Sequence, residues 1–319
     1  MTRNPVWVFL AFAFIALSGF SGTIHGQDNL DHSVITGRWN LTVYDITGVY
    51  PSWFEITQQA DSLVGRFQGQ HSSWRPIRDI EFDGKTLRIA LKAYKYERED
   101  EGDLVYTGKV TDGRIDGVND QGVRFRALRA PELIRTQEVV WGTPINLCDG
   151  ADADGKWRPR NLGKPNGWKL VDGILSATPP STDLVSKQTF TDFKLHVEFK
   201  VPEKSNSGVY LRGRYELQIN DSYGEEADSH RCGGLYGFIE PAKMMVNPAG
   251  EWNSWEITLI GRRLTLVFNG EKVIDGEEIP GITGSAINSR EDEPGPVMLQ
   301  CHGAPIYYRN IVITPAVND

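Results

Sequence analysis

Between Ser205 and Asn220 the side chains alternate with a period of two, and little except a β-strand pair satisfies that pattern. Val209, Leu211, Tyr215, Leu217 and Ile219 share one parity, which marks a core face. Tyr210, Arg212, Glu216, Gln218 and Asn220 share the other. A sheet face that carries charges, amides and a phenol instead of mixed Lys, Thr and Ser is furnished to bind something polar.

The same period extends along most of the chain. Short alternating runs occupy Trp39–Tyr44, Trp53–Gln58, Leu63–Gln68, Pro76–Phe82, Leu87–Ala93, Leu104–Val110, Arg114–Val118 and Val123–Leu128. Asp83-Gly84 and Asp112-Gly113 punctuate them as hairpin turns. Such a meander predicts a small antiparallel β-barrel over residues 33–130, and Gly37-Arg38-Trp39 resembles the G-x-W entry of lipocalin- and avidin-like barrels. Residues 131–142, bracketed by Pro131 and Pro144, form a linker.

From 143 to 319 further strands are expected at Trp168–Val171, Ile174–Ala177, Leu184–Lys187, Phe193–Lys200, Gly208–Arg212, Tyr215–Asn220, Trp255–Ile260, Arg263–Phe268, Glu271–Asp275, Val297–Cys301 and Ile306–Thr314. Long amphipathic helices are absent from the pattern. The fold class is therefore all-β: a C-terminal jelly-roll β-sandwich preceded by the small barrel. Gly224–Asn247 reads as an insertion folded over one sheet.

Composition narrows the function classes. Lys and Arg number 34 against 42 Asp and Glu, a net charge of −8, and no basic patch stands out, which argues against a nucleic-acid partner. The nine tryptophans suit sugar stacking as well as core filling. Arg3 followed by the apolar run Val6–Leu17 and by small residues predicts a secretory signal within residues 1–26, cleaved between Ser21 and Gly26. That run is shorter than the roughly 20 residues a membrane span needs, so an exported protein without a span is expected, periplasmic or extracellular. Of Cys148, Cys232 and Cys301, one disulfide is allowed in an oxidising compartment. Cys232 with Cys301 is the preferred pair, and three unpaired cysteines is the alternative.

Several phrases in order then resemble a known family. They are Gly167-Trp168, Val171-Asp172-Gly173-Ile174-Leu175, Asp192-Phe193-Lys194-Leu195, Ser205-Asn206-Ser207-Gly208-Val209-Tyr210, Tyr215-Glu216-Leu217-Gln218-Ile219, Gly233-Gly234-Leu235-Tyr236-Gly237 and Leu299-Gln300-Cys301-His302-Gly303. Together they resemble the 3-keto-disaccharide hydrolase family across the second unit, with the barrel outside the resemblance. The usual Leu-Phe-Asn-Gly-Lys opening appears here as Asn146-Leu147-Cys148-Asp149-Gly150, and Cys232 stands where a small or hydroxyl residue is more usual.

The resemblance implies a concanavalin A-like sandwich that acts on an oligosaccharide or glycoside already oxidised at C3. The ketone acidifies the C2 proton, a base removes it, the aglycone leaves C1 by β-elimination, and water adds. This chemistry needs a base, a donor to the enolate oxygen and an acid for the leaving group.

Glu216 and His302 are the candidates for proton transfer, with Arg212 orienting Glu216 or stabilising the enolate. His302 shares parity with Gln300 in the expected strand, and histidine as a residue type titrates near neutrality. Tyr210, Gln218, Asn220, Asp221, Tyr236 and Gln300 are candidates for binding sugar hydroxyls. A structural Glu216–Arg212 ion pair and a structural His302 are the competing readings. Arg309 and Asn310 are expected to lock the terminal strand to its neighbour. No cofactor is expected and no metal is assigned, although Glu216, Asp221 and His302 together would suit a hard cation. The alternatives to a hydrolase are a non-catalytic carbohydrate-binding or adhesion module, and a barrel that binds while the sandwich is scaffold. The oligomeric state is open.

Overall fold

A computed structural model describes residues 30–95, 97, 98, 100, 102–148 and 155–318. The expected signal segment, residues 1–26, lies outside the described residues, as do Asp149 and Gly150.

The N-terminal strands are β1 (Gly37–Asp45), β2 (Gly48–Gln59), β3 (Ser62–Gln68), β4 (Trp74–Pro76), β5 (Asp79–Phe82), β6 (Thr86–Lys92), β7 (Asp103–Thr111), β8 (Arg114–Asn119) and β9 (Arg124–Arg129). They form one antiparallel sheet in the order β4-β3-β2-β1-β9-β8-β7-β6-β5. The sheet closes through the kinked segment β4–β5: Ile77 N donates to Gly65 O at 2.8 Å on the β3 side, and Arg78 N donates to Ala90 O at 2.7 Å on the β6 side. Those two bonds carry the sheet round from one end strand to the other, as in a small barrel.

Alternation sends Trp39, Leu41 and Val43 of β1 and Phe54 and Ile56 of β2 into the barrel core. The Trp39 indole donates to Ile35 O at 2.9 Å, and the Arg129 guanidinium lies 4.0 Å over its ring.

The remaining strands are β10 (Ile145–Asn146), β11 (Trp157–Pro159), β12 (Trp168–Val171), β13 (Ile174–Ala177), β14 (Leu184–Ser186), β15 (Phe193–Lys200), β16 (Asn206–Leu211), β17 (Tyr215–Asn220), β18 (Trp252–Ile260), β19 (Arg263–Phe268), β20 (Glu271–Glu278), β21 (Met298–Leu299) and β22 (Ile306–Pro315). One sheet runs β12-β13-β22-β15-β18-β19-β20, with β10 also on β22; the other runs β11-β14-β21-β16-β17. Their facing side chains, among them Val209, Leu217, Ile219, Phe199, Trp255 and Phe268, make one core. On the outer face of the larger sheet, Arg309 Nε and Asn310 Nδ2 both reach the Glu198 carboxylate at 2.6 Å, tying β22 to β15 as expected. The Gly224–Asn247 insertion extends the smaller sheet at its edge: Gln218 N donates to Gly234 O, and Leu235 N donates to Ile239 O.

From His32 onward the chain is one compact unit. Three side chains, one from β2 and two from β1, explain why. Trp53 points outward from the barrel yet is fully buried, because it packs into the sandwich core, donates to Ile282 O at 2.8 Å and lies 5.8 Å from the Phe238 ring. Gly281 permits that approach, since a Cβ there would stand 2.5 Å from the indole. Arg38 and Asn40 of β1 also face outward, and both bond the Glu291 carboxylate, at 2.7 and 2.8 Å.

Cys232 and Cys301 are free thiols, which corrects the preferred disulfide. Cys232 is sealed in the sandwich core, whereas Cys301 lies on the wall of the cavity described below. Among the described residues no helix is long and apolar enough to cross a membrane.

Trp53→Ala is expected to lower stability by about 3–5 kcal/mol, the usual range for emptying a buried tryptophan site. Urea unfolding followed by circular dichroism measures it. A change below about 1 kcal/mol would show that the barrel and sandwich do not depend on this contact.

Candidate functional site

The outer face of the smaller sheet is a floor, and the barrel forms part of the walls above it. Between them lies a cavity of about 740 Å³, within the roughly 300–1,000 Å³ of small-molecule sites. Tyr210 from β16, Glu216 and Gln218 from β17, and Gln300 after β21 face it, together with Tyr236 from the insertion and His302. Asn161, Arg160, Asp183 and Cys301 add a second side, and Thr47, Gln70 and His71 come from the barrel.

Strand parity delivers the floor. Gly208 and Gln218 are cross-strand partners, as are Tyr210 and Glu216. Gly208 is required: a Cβ there would lie 2.6 Å from Glu216 Oε1, so only glycine leaves room for the carboxyl group. The floor is largely buried even where it meets the cavity, with Tyr210 at 1%, Gln218 at 3% and Glu216 at 5% exposure. It is covered by residues 279–291, where Thr283 Oγ1 accepts from Glu216 N at 2.9 Å and Gly284 O accepts from the Tyr210 hydroxyl at 3.2 Å.

Burial sets the electrostatics. Desolvation pushes the Glu216 carboxyl up to about 8, with the nearby Asp183 charge adding to the rise, while the facing Tyr210 hydroxyl and Gln300 amide offset part of it. Burial also raises the Tyr210 phenol well above its ordinary range, so it remains a proton donor. Tyr236 rises for the same reason, with Glu216 contributing. Gln300 Nε2 donates to the Tyr210 hydroxyl at 3.2 Å. Gln218 Oε1 and Gln300 Oε1 are buried acceptors without a partner among the described residues. Two orphaned amide oxygens on a cavity floor suit ligand hydroxyl groups. Across the floor, Arg160 Nη1 pairs with Asp183 Oδ2 at 3.1 Å, and Asp183 Oδ1 accepts from Cys301 N at 3.1 Å.

Six of the nine expected site residues line the cavity, and three do not. Arg212 leaves the strand: β16 ends at Leu211, and Arg212 and Gly213 occupy a turn with φ of 52° and 64°. Its guanidinium turns away from Glu216, lies 5.1 Å over the Tyr215 ring and donates to Gly261 O. Asp221 is spent on local structure, since its Oδ2 accepts from Lys204 N at 2.9 Å across the β16–β17 end. Asn220 Nδ2 donates to His230 O at 3.1 Å and stays outside the cavity lining.

Removal of Asp221 also disassembles the cation trio considered from sequence, and among the described residues no group of three or more His, Cys, Asp or Glu stands close enough to hold a metal. Gln300 and His302 lie beyond β21, which stops at Leu299, so His302 is an exposed loop residue at the rim and not a strand residue. Asp183 was the missed neighbour, and its only signal was its place immediately before the buried run Leu184–Ser186.

The sandwich thus presents a buried carboxyl group, two amides and the phenols of Tyr210 and Tyr236 to one polar cavity. The chain belongs to the family of the 3-keto-alpha-glucoside-1,2-lyase-like domain, whose model matches residues 143–314. It is similar to a 3-keto-disaccharide hydrolase of Bacteroides thetaiotaomicron, at 21% identity over 60% of this chain and 86% of that protein. Among solved structures it is similar to a putative glycosyl hydrolase from Parabacteroides distasonis, at 27% identity and a TM-score of 0.47, covering 56% of this chain and 92% of that one. A second from the same organism shares 28% identity at a TM-score of 0.39, covering 50% and 99%. Thr47, Gln70 and His71 lie outside the family's span.

Because the folded protein holds Glu216 protonated to about pH 8 while an unfolded chain ionises it near 4.5, this group's contribution to stability is full below pH 4.5 and is lost as pH rises toward 8. Glu216→Gln, which cannot ionise, is therefore expected to raise Tm, and by more at pH 8 than at pH 5. Calorimetry across that range measures the gain; each kcal/mol corresponds to roughly 2–4 °C in a chain of this order of size. A Tm difference that shrinks with rising pH would contradict the burial argument.

Proposed function

We propose that this protein cleaves 3-keto-glycosides by elimination and hydration, with Glu216 as the base. The observation that carries the reading is a buried carboxyl group, pushed up to about 8, on the floor of a polar cavity. Abstraction of a proton beside a ketone calls for a base of raised basicity, and a carboxylate near 8 is far better matched to it than one near 4.5.

The ionised Glu216 takes the C2 proton, and the electron pair moves into the C3 carbonyl to give an enolate. The Tyr210 hydroxyl, backed by Gln300 Nε2, turns from Gly284 O to donate to that oxygen, while the Gln218 and Gln300 amide oxygens accept from sugar hydroxyl groups. The enolate collapses, the C1–C2 double bond forms and the C1–O bond breaks, with His302 at the rim giving a proton to the departing oxygen. Water then adds at C1 and a proton returns to C2, which yields the free 3-keto sugar. Ordinary glycosidases instead flank an oxocarbenium ion with two carboxylates. Here Asp183 is bonded to Arg160 and the Cys301 amide, an arrangement suited to holding the wall. Export fits this reading, supported by the apolar run Val6–Leu17.

Purified protein is expected to release the aglycone from a 3-keto-glucoside and not from the unoxidised glucoside. Binding of both without turnover would instead favour a carbohydrate-binding module, and equal cleavage of both would exclude elimination. Since the base acts ionised, kcat/KM should rise with pH and level off above about 8. Glu216→Gln should lower kcat by at least about 100-fold, the scale of general-base loss. A profile that falls across pH 6–8 would assign Glu216 the acid role.

A further inference from the structure

We propose a second catalytic site, in which Ser73 of the barrel is the nucleophile of a serine esterase, His230 is its base and Asp228 positions that base. The substrate is an ester of a small, uncharged acid. The inference is independent of the cleavage proposed above, because none of the three residues lines the Glu216 cavity.

Ser73 Oγ lies 2.6 Å from His230 Nε2, and His230 Nδ1 lies 3.0 Å from Asp228 Oδ1. The His230 main-chain N–H donates to the same Asp228 oxygen at 2.7 Å. That bond holds the Asp228 carboxyl below its ordinary range, so at neutral pH the group is ionised and can only accept. Nδ1 therefore carries the imidazole proton, which leaves Nε2 as the acceptor for the Ser73 hydroxyl. A serine nucleophile needs this tautomer. Ser229 Oγ is the other neighbour of Nδ1, at 3.3 Å, and Asn220 Nδ2 fixes the His230 carbonyl at 3.1 Å.

Nucleophile and base come from different parts of the fold, and each is held. Gln68 Nε2 donates to Gly69 O at 3.1 Å and to Ser72 O, and Ser285 N donates to Gln70 O at 2.7 Å, which fixes the loop of residues 69–73. Gly237, at φ 75°, lets the insertion close on that loop, since a Cβ there would stand 2.7 Å from Ser73 Oγ. The Ser73 main-chain N–H lies outside the β3–β4 ladder and serves as an oxyanion donor in this proposal. Ser73 is half-buried and His230 exposed, so the pair is open to a ligand. His230 and Asp228 border a pocket of about 480 Å³ whose rim carries Glu225, Glu226 and Arg231. Arg231 pairs with Glu225 at 2.8 Å, so the rim is acidic on balance and favours an uncharged acyl group over one that bears a carboxylate.

In the reaction Ser73 Oγ attacks the ester carbonyl carbon and its proton passes to His230 Nε2. The ester C–O bond breaks, the alcohol leaves with that proton, and the acyl group stays on Ser73. Water then gives a proton to His230 and attacks the acyl-serine, which releases the acid as the proton returns to Ser73.

The test treats full-length protein with p-nitrophenyl acetate and, separately, with an ethyl fluorophosphonate, which bonds through phosphorus to an activated serine as fluoride leaves. Peptide mass spectrometry is expected to find the phosphonyl group on Ser73 of the wild-type protein, a result that needs no variant to fold. Ser73→Ala and His230→Ala should each hydrolyse p-nitrophenyl acetate at least about 100-fold more slowly, at an unchanged Tm. Asp228→Asn keeps an oxygen for the His230 main-chain N–H and loses the charge, so it should slow labelling of Ser73 at least about tenfold without lowering Tm. No label on Ser73, or equal ester hydrolysis by wild type and Ser73→Ala, overturns the esterase. Labelling of Asp228→Asn at the wild-type rate overturns the role given to Asp228.

Discussion

Glu291 is a carboxylate with no exposure to solvent, and the architecture converges on it. Arg38 and Asn40 reach it from the barrel, and the Tyr215 hydroxyl donates to it at 2.8 Å from the sandwich. Arg212 donates to its main-chain carbonyl at 3.5 Å. A charge removed from water is tolerated only when it is paired and fully hydrogen-bonded, and loss of one partner of such a pair typically costs about 3–5 kcal/mol. The partners here lie on both β bodies, so the carboxylate is satisfied only while barrel and sandwich are docked. Trp53 adds the apolar half of the same constraint.

The site inherits its geometry from that junction. Residues 279–291 run between the two bodies, anchored at one end by the Trp53 indole on Ile282 O and at the other by Glu291. Between those anchors, Thr283 holds the Glu216 main chain, Gly284 accepts Tyr210, and Ser285 takes the Gln70 carbonyl and the His71 ring. Floor and wall are thus positioned by one segment whose ends are fixed by the buried carboxylate and the buried indole. A loosened junction would let water reach Glu216 and return its carboxyl toward the ordinary range.

What the sequence made legible follows from how far each signal reaches. Period-two alternation is local, and it placed Val209, Leu217 and Ile219 in the core and Tyr210, Glu216 and Gln218 on one face together. The same count failed at Arg212 because parity does not carry through a turn; two successive positive φ angles swing its side chain to the far side. Asp221 failed because a carboxylate just past a strand end finds the nearest free amide, here Lys204 N. Neither the burial of the floor nor the entry of His71 had any local signature. The first comes from contacts 74 residues apart, as between Tyr210 and Gly284, and the second from one 214 residues apart, between His71 and Ser285, and no local window of the sequence contains either.

The raised Glu216 carboxyl shows why a barrel is worth carrying. A carboxyl group on an open sheet face is hydrated and ionises as an ordinary acid, so the outer face of the smaller sheet alone would leave Glu216 in the usual carboxylate range. Dehydration changes that, but it opposes folding at neutral pH, where the unfolded chain gains by ionising the group. The protein therefore holds a destabilised side chain in place with interactions made elsewhere, namely the Glu291 cluster and the Trp53 contact. Gly208 has the same logic at closer range: it gives up strand stability to leave space for the carboxyl group. Burial at the floor and cohesion at the junction are linked, because the segment that packs beside Glu216 is the one the junction holds down.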